Sequence, residues 1–313
     1  MRAAVALALI ATACASEPRA RPEAVAAPHA SPAMLPPPRF TPCGAAGGVE
    51  PPAPVEELAL GQETSCARLA DGTVWCWGAR SHALVDADVI GAKACSVATR
   101  VAPFEPSFGL FTVGDICSVR KDGAATCVDL HQHRGDFTVP SPQVATLGDR
   151  VCALAKGQVV CTRADGSAIV LGKDVVQIAS GSALWVLSKG GVLTRWSRGR
   201  DGREPELDYL DPPADVAEVV AYGARACVRT RGPVSKVVCW TKDNFTNEVP
   251  GLNDAVRLAV EESHACAVRA TGQVVCWGSN GCGESGGDVP VGLCPHASAR
   301  MPPLPITPIR WAR

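Results

Sequence analysis

Residues Cys66 to Cys76 read CARLADGTVWC, and four other stretches repeat the design: CSVRKDGAATC (Cys117 to Cys127), CALAKGQVVC (Cys152 to Cys161), CVRTRGPVSKVVC (Cys227 to Cys239) and CAVRATGQVVC (Cys266 to Cys276). Each begins and ends on cysteine, alternates along both arms and turns in the middle, which is the pattern of a β-hairpin. Where the cysteines lie ten apart, the loops are Ala70-Asp71-Gly72, Lys121-Asp122-Gly123 and Ala270-Thr271-Gly272. Glycine closes each loop, at the place that a three-residue hairpin loop puts in the left-handed region. The nine-apart copy turns on Lys156-Gly157 and the twelve-apart copy on Arg231-Gly232-Pro233-Val234-Ser235, so the turn absorbs the difference in length. The cysteines therefore stay opposed, at the ~4.5–5.5 Å Cα separation that a disulfide tolerates.

A sixth copy lacks the cysteines. LWVLSKGGVLTRW, from Leu184 to Trp196, aligns on its turn glycine Gly191 and sets Trp185 and Arg195 at the two cysteine places. Independent metal ligands have no reason to vanish together, whereas the loss of one staple removes both partners.

An apolar strand with a polar or glycine end precedes each hairpin: Val55 to Gly61, Phe108 to Gly114, Val144 to Gly148, Val175 to Gly181, Val216 to Gly223 and Val256 to Val260. Successive hairpins start 51, 35, 33, 42 and 39 residues apart, centred on the ~40 residues of a four-stranded propeller blade. Gly, Pro and Cys number 30, 26 and 15, a composition that suits short strands and tight turns. The expected fold is an all-β propeller of about six four-stranded blades with disulfides inside the hairpins.

Ser65 to Gly78 (SCARLADGTVWCWG) and Ser263 to Asn280 (SHACAVRATGQVVCWGSN) resemble the repeat of the regulator of chromosome condensation superfamily, in a cysteine-stapled, exported bacterial form. The resemblance covers residues 55 to 290 and is strongest in the first and last copies. It implies a β-propeller, commonly of seven blades. The tail Leu304 to Trp311 is the segment available for a closing strand beside the first blade.

The N-terminus gives the compartment. Arg2 precedes an apolar run from Ala3 to Ala13 and then Cys14, too short for a bilayer span and suited to a signal peptide. Leu9 to Cys14 resembles a bacterial lipobox, which implies cleavage after residue 13 and lipidation of Cys14; an ordinary secretory cleavage at Ala11-x-Ala13 is the alternative. Residues 14 to 54 hold eleven prolines and little aliphatic periodicity, the composition of an extended tether. Residues 55 to 313 form the propeller domain. Both readings of the leader export the chain to an oxidising compartment, with the lipid-anchored form expected at the outer membrane and attached to it by that lipid only. There the fourteen remaining cysteines pair. Cys282 with Cys294 is favoured over a zinc site with His296, which leaves Cys43 with Cys95 by elimination.

Other motifs meet simpler explanations. Gly281 to Gly286 spells G-x-G-x-x-G, but Pro290 and Gly292 follow in place of the helix that a dinucleotide site requires. Gly283 to Gly287 spells G-x-S-x-G, yet no suitably placed histidine and acid accompany Ser285, so a turn is expected. His131 and His133 share one side of a strand with no third ligand nearby. Asp71 to Trp75 departs from the sialidase Asp-box. Trp77, Trp196, Trp240 and Trp277 recur at one repeat position and are expected to pack the blades. No cofactor or metal is expected.

Thirty basic against 31 acidic residues leave no positive excess for a phosphate backbone, so nucleic acid is not an expected partner. The expected role is that of a non-catalytic envelope lipoprotein whose propeller binds an envelope or extracellular protein. The alternative is a propeller that binds or cleaves envelope glycans. An enzyme of that kind needs converging carboxylates, and the adjacent acids Glu56-Glu57, Asp86 with Asp88, and Glu261-Glu262 single out no pair.

Overall fold

The computed structural model describes residues 48–61, 63–78, 95–101, 106–113, 115–121, 124–128, 134–138, 143–147, 150–163, 165–199, 205–208, 212–240, 246–280, 285–286 and 306–311. Among them every regular element is a strand, and the strands form six sheets. The first contains Val55–Gly61, Thr64–Leu69, Val74–Gly78 and Cys95–Arg100, in that order. The second contains Gly109–Val113, Asp115–Val119, Ala124–Val128 and Arg134–Thr138, and the third Val144–Leu147, Arg150–Ala155, Gln158–Thr162 and Ala168–Leu171. The fourth runs Val175–Ser180, Leu184–Ser188, Leu193–Arg198, Pro205–Asp208, and the fifth Val216–Tyr222, Arg225–Thr230, Val237–Trp240, Thr246–Glu248. The sixth takes Ala255–Val260, His264–Arg269 and Val274–Gly278, then skips to the C-terminal Thr307–Pro308 for its outer strand.

The first strands adjoin between the first and second, the third and fourth, the fourth and fifth, and the fifth and sixth sheets, and that of the sixth touches that of the first. This is the inner wall of a β-propeller, with the fourth strands outermost. The core is divided accordingly. Separate apolar clusters join the first and second sheets around Ile116, the third and fourth around Leu171, the fourth and fifth around Trp240, and the fifth and sixth around Trp277.

The hairpin register is the expected one. Cys66, Cys152, Cys227 and Cys266 stand opposite Cys76, Cys161, Cys239 and Cys276 and form disulfides with Cα separations of 3.9 to 4.1 Å. Cys117, also disulfide-bonded, faces Cys127 in backbone register. Trp185 faces Arg195, as the cysteine-free copy requires. Gly72 and Gly272 hold φ of 81° and 87°, and Lys156 and Gly157 hold 50° and 74°, which is the paired positive φ of a two-residue I′ turn. Cys14, Cys43, Cys282, Cys294, Gly123, His131, His133 and His296 lie outside the described residues, as do Asp86 and Asp88.

The tail does more than flank the first sheet. After contributing Thr307–Pro308 to the sixth sheet it continues as Arg310–Trp311, parallel to Cys95–Arg100 on the outer edge of the first. Trp311 is 2% exposed and meets Trp75 and Trp77 edge-on, at centroid distances of 5.9 and 6.3 Å. Its N–H donates to the Gly48 carbonyl (2.9 Å), so the chain entering the propeller is pinned to the chain leaving it.

Candidate functional site: the hairpin rim and the ring seam

Because each sheet is a meander, the tips of the second-to-third-strand hairpins lie on the same rim as the starts of the first strands. Hydrogen bonds weld the two. Within sheets, Ala70, Lys189, Arg231 and Ala270 N–H groups donate to Pro54, Asp174, Asp215 and Asp254 carbonyls at 2.7 to 2.8 Å. Between sheets, Ser107, Val175 and Val216 N–H groups donate to the tip glycines Gly72, Gly157 and Gly191 of the preceding sheet at 2.9 to 3.1 Å, and Ser235 N–H donates to Asn253 O at 2.7 Å. Each of these tips is thus fixed to its own sheet, to the next, or to both, so this rim is a rigid frame.

The inner wall carries a second repeat that sequence reading did not single out. Two residues before the position facing the first cysteine place stand Glu57, Gln143, Gln177 and Glu218. Each side chain accepts the N–H of the residue one step further along in the next sheet's first strand. Leu110 donates to Glu57 (2.7 Å), Ile178 to Gln143 (3.1 Å) and Val219 to Gln177 (3.1 Å), and Leu258 donates to Glu218. Gln177 also donates to Val219 O at 2.9 Å. Glu57 and Glu218 are further held by Arg68 (3.1 Å) and Arg229 (2.7 Å). Burial pushes the Glu218 carboxyl above its ordinary range despite Arg229. The signal in the sequence was a Glu or Gln at or just before the start of an otherwise apolar strand.

The sixth sheet has Arg257 at this place, and a different joint closes the ring. Ser65 Oγ and His264 Nε2 are hydrogen-bonded across the seam at 2.8 Å, and His264 Nδ1 lies 3.5 Å from Glu261 Oε2. Glu261 also accepts from the backbone N–H and the hydroxyl of Ser263, both at 2.8 Å. Burial works against the ionised Glu261, but His264 and the Ser263 donors outweigh it and hold its pKa at about 2. Serine, histidine and acid follow the order of a hydrolase triad, yet Ser65 and His264 are both 0% exposed. A hydroxyl that no substrate can reach serves here as a buried inter-sheet bond.

Ser285 lies in a turn, as expected. Its hydroxyl donates to Ser279 O (2.6 Å), its N–H to Asn280 Oδ1 (3.0 Å), and Asn280 Nδ2 to Gly286 O (2.6 Å). Gly286 has φ of 76°, and a Cβ there would meet Ile309 Cδ1 at 2.6 Å. Asp71 is occupied by the Thr73 N–H and hydroxyl in a local turn (3.0 and 2.7 Å). Trp77, Trp240 and Trp277 are buried blade packing, and the half-buried Trp196 packs beside the cluster of the third and fourth sheets. Among the described residues no three His, Cys, Asp or Glu side chains gather as metal ligands, and no helix is long and apolar enough to cross a membrane.

Of nine large apolar side chains that are exposed among the described residues, five lie on the hairpin rim: Phe108 (65%), Val176, Val192 (62%), Val234 and Val256. Val176 and Val256 are the extra residues of β-bulges at the starts of their first strands, and Phe108 holds the matching place in the second sheet. A bulge turns its extra residue out of the ladder, which brings Val176 and Val256 to the mouth end of the inner strands; Phe108 reaches the same end without a bulge.

The Regulator of chromosome condensation (RCC1) repeat matches residues 55–82 and 262–284. Among solved structures, the chain is similar to Prp20p from Saccharomyces cerevisiae, with 14% identity over 82% of this chain and 77% of that one and a TM-score of 0.45. Human WBSCR16 gives 16% identity over 76% and 80% of the two chains and a TM-score of 0.45. Virginiamycin B lyase from Staphylococcus aureus gives 12% identity over 73% and 82%, with a TM-score of 0.39. At these scores nothing functional transfers from them. No curated protein matches the sequence. The chain is a β-propeller that carries the Regulator of chromosome condensation repeat in its first and sixth sheets.

Proposed function

We propose that this protein is an exported lipoprotein, anchored through Cys14 to the bacterial envelope, whose propeller is a rigid scaffold that binds another protein. The observation that carries the reading is the hairpin rim: a hydrogen-bonded frame on which exposed apolar side chains collect. Burying such side chains rewards a partner that covers them, and a pre-organised frame adds little ordering cost. The hairpin disulfides fit an oxidising compartment.

Among the described residues, the adjacent acids give the glycan-cleaving alternative no converging pair. Glu56 and Glu57 are both engaged by Arg68, at 2.7 and 3.1 Å, and Glu261 is committed to the seam. Cross-linking capture with the full chain in envelope extract, followed by mass spectrometry, tests the reading. One dominant protein, cross-linked through rim lysines, is the expected result. Retention of glycan fragments without a protein partner would overturn it.

A further inference from the structure

We infer that the hairpin rim receives an acidic protein segment, which seats an apolar side chain in the axial mouth. The inference rests on the protein-binding reading above and names the face and the chemistry of the partner.

The chain as a whole is nearly neutral, with a formal charge of −1, but the hairpin tips of the second to fifth sheets carry a cationic excess. The first residue of the hairpin tip is Lys121, Lys156, Lys189 and Arg231 in the second to fifth sheets, all exposed, against Ala70 and Ala270 in the first and sixth. Exposed Lys173 adds to this arc, exposed Asp174 and Asp215 oppose it, and Asp122 follows Lys121 in the sequence, so five cations stand against three acids. The cations follow the same arc as Phe108, Val176, Val192 and Val234. Phe108 and Val176 at the starts of the inner strands, with Val192 and Val234 set among the tip cations further out, complement an apolar anchor flanked by carboxylates.

Two other occupants fit less well. The chain's own segment 15–47 carries Arg19, Arg21 and Arg39 against Glu17 and Glu23, so it does not complement a basic arc. A bilayer surface would also attract lysines, but interfacial docking favours Trp and Tyr, and among the described residues Phe108 is the one aromatic of the exposed large apolar residues on the rim.

The test is a selection from a random dodecapeptide display library on the purified full chain, repeated on two rim variants. One is Phe108→Asp with Val176→Asp, the other Lys156→Glu with Lys189→Glu. All four positions are exposed, and intact hairpin disulfides in a non-reducing peptide map show that each variant has folded. The expected result is enrichment of peptides with an apolar centre between acidic residues, whose binding falls at least tenfold in both variants and weakens with salt. Peptides without acidic bias, or binding unchanged in the variants, would overturn the rim assignment and leave protein binding standing. Recovery of no peptide would count against both readings. Binding to phosphatidylglycerol vesicles in place of peptides, lost in the lysine variant, would assign the rim to the membrane and overturn the inference.

Discussion

The Arg195 guanidinium lies over the Trp185 ring, 5.7 Å from its centroid, at the two positions that a disulfide occupies in sister hairpins. Arg195 Nε also donates to Asp208 Oδ2 at 2.8 Å, which ties the pair to the outer strand of the fourth sheet. A cation–π contact and an ion pair stand where a covalent staple would. Replacing Trp185 and Arg195 together by cysteine is therefore expected to produce a disulfide during oxidative folding, detected as a new linkage in a non-reducing map. Arg195→Ala alone is expected to cost about 1 kcal/mol, read from the denaturation midpoint.

The inter-sheet clamps predict opposite effects at two equivalent positions. Gln177→Leu leaves the Val219 N–H and carbonyl without their partner and is expected to cost about 2–3 kcal/mol in urea unfolding. Arg257→Gln places a clamp side chain where the sixth sheet meets the first and is expected to gain about 0.5–1 kcal/mol. A loss at position 257 equal to that at 177 would contradict the shared geometry.

The seam makes stability depend on acid. Glu261 titrates near 2 in the folded protein against an ordinary value of 4.5, so its contribution is present above pH 4.5 and is lost as the pH falls toward 2. The difference is worth on the order of 3 kcal/mol. Glu218 works in the other direction, because burial raises its pKa and protonation then favours the folded state. Comparing the native chain with Glu261→Gln between pH 6 and pH 2 isolates the seam: the variant is expected to show a flatter profile.

Trp311 closes the ring from outside, and Trp311→Ala is expected to cost about 3–5 kcal/mol by emptying the space against Trp75 and Trp77. Since Gly48 is bonded to the same residue, limited proteolysis should then cut near both termini before the hairpins. Protection of both ends in the variant would show that the outer strands hold without the indole.

Much of this fold was legible in the residues themselves, because a hairpin is a local object. Alternation, a turn glycine and two cysteines at fixed spacing specify which backbone atoms face each other within a dozen residues. The pairing of Trp185 with Arg195 could therefore be placed without any cysteine to mark it. What joins one sheet to the next is not local. Ser65 and His264 are 199 positions apart, and Glu57 meets the Leu110 N–H across 53. Nothing in the spacing of those residues reveals that ring closure makes them neighbours. The same holds for the tail, whose residues read as a closing strand but whose division between the sixth sheet and the first depends on how far the ring turns. The rim is likewise a tertiary product. Phe108, Val176 and Val256 look like ordinary strand residues in the sequence, and only the bulges at Val176 and Val256 and the packing of the first strands around one axis bring all three to solvent at a common mouth.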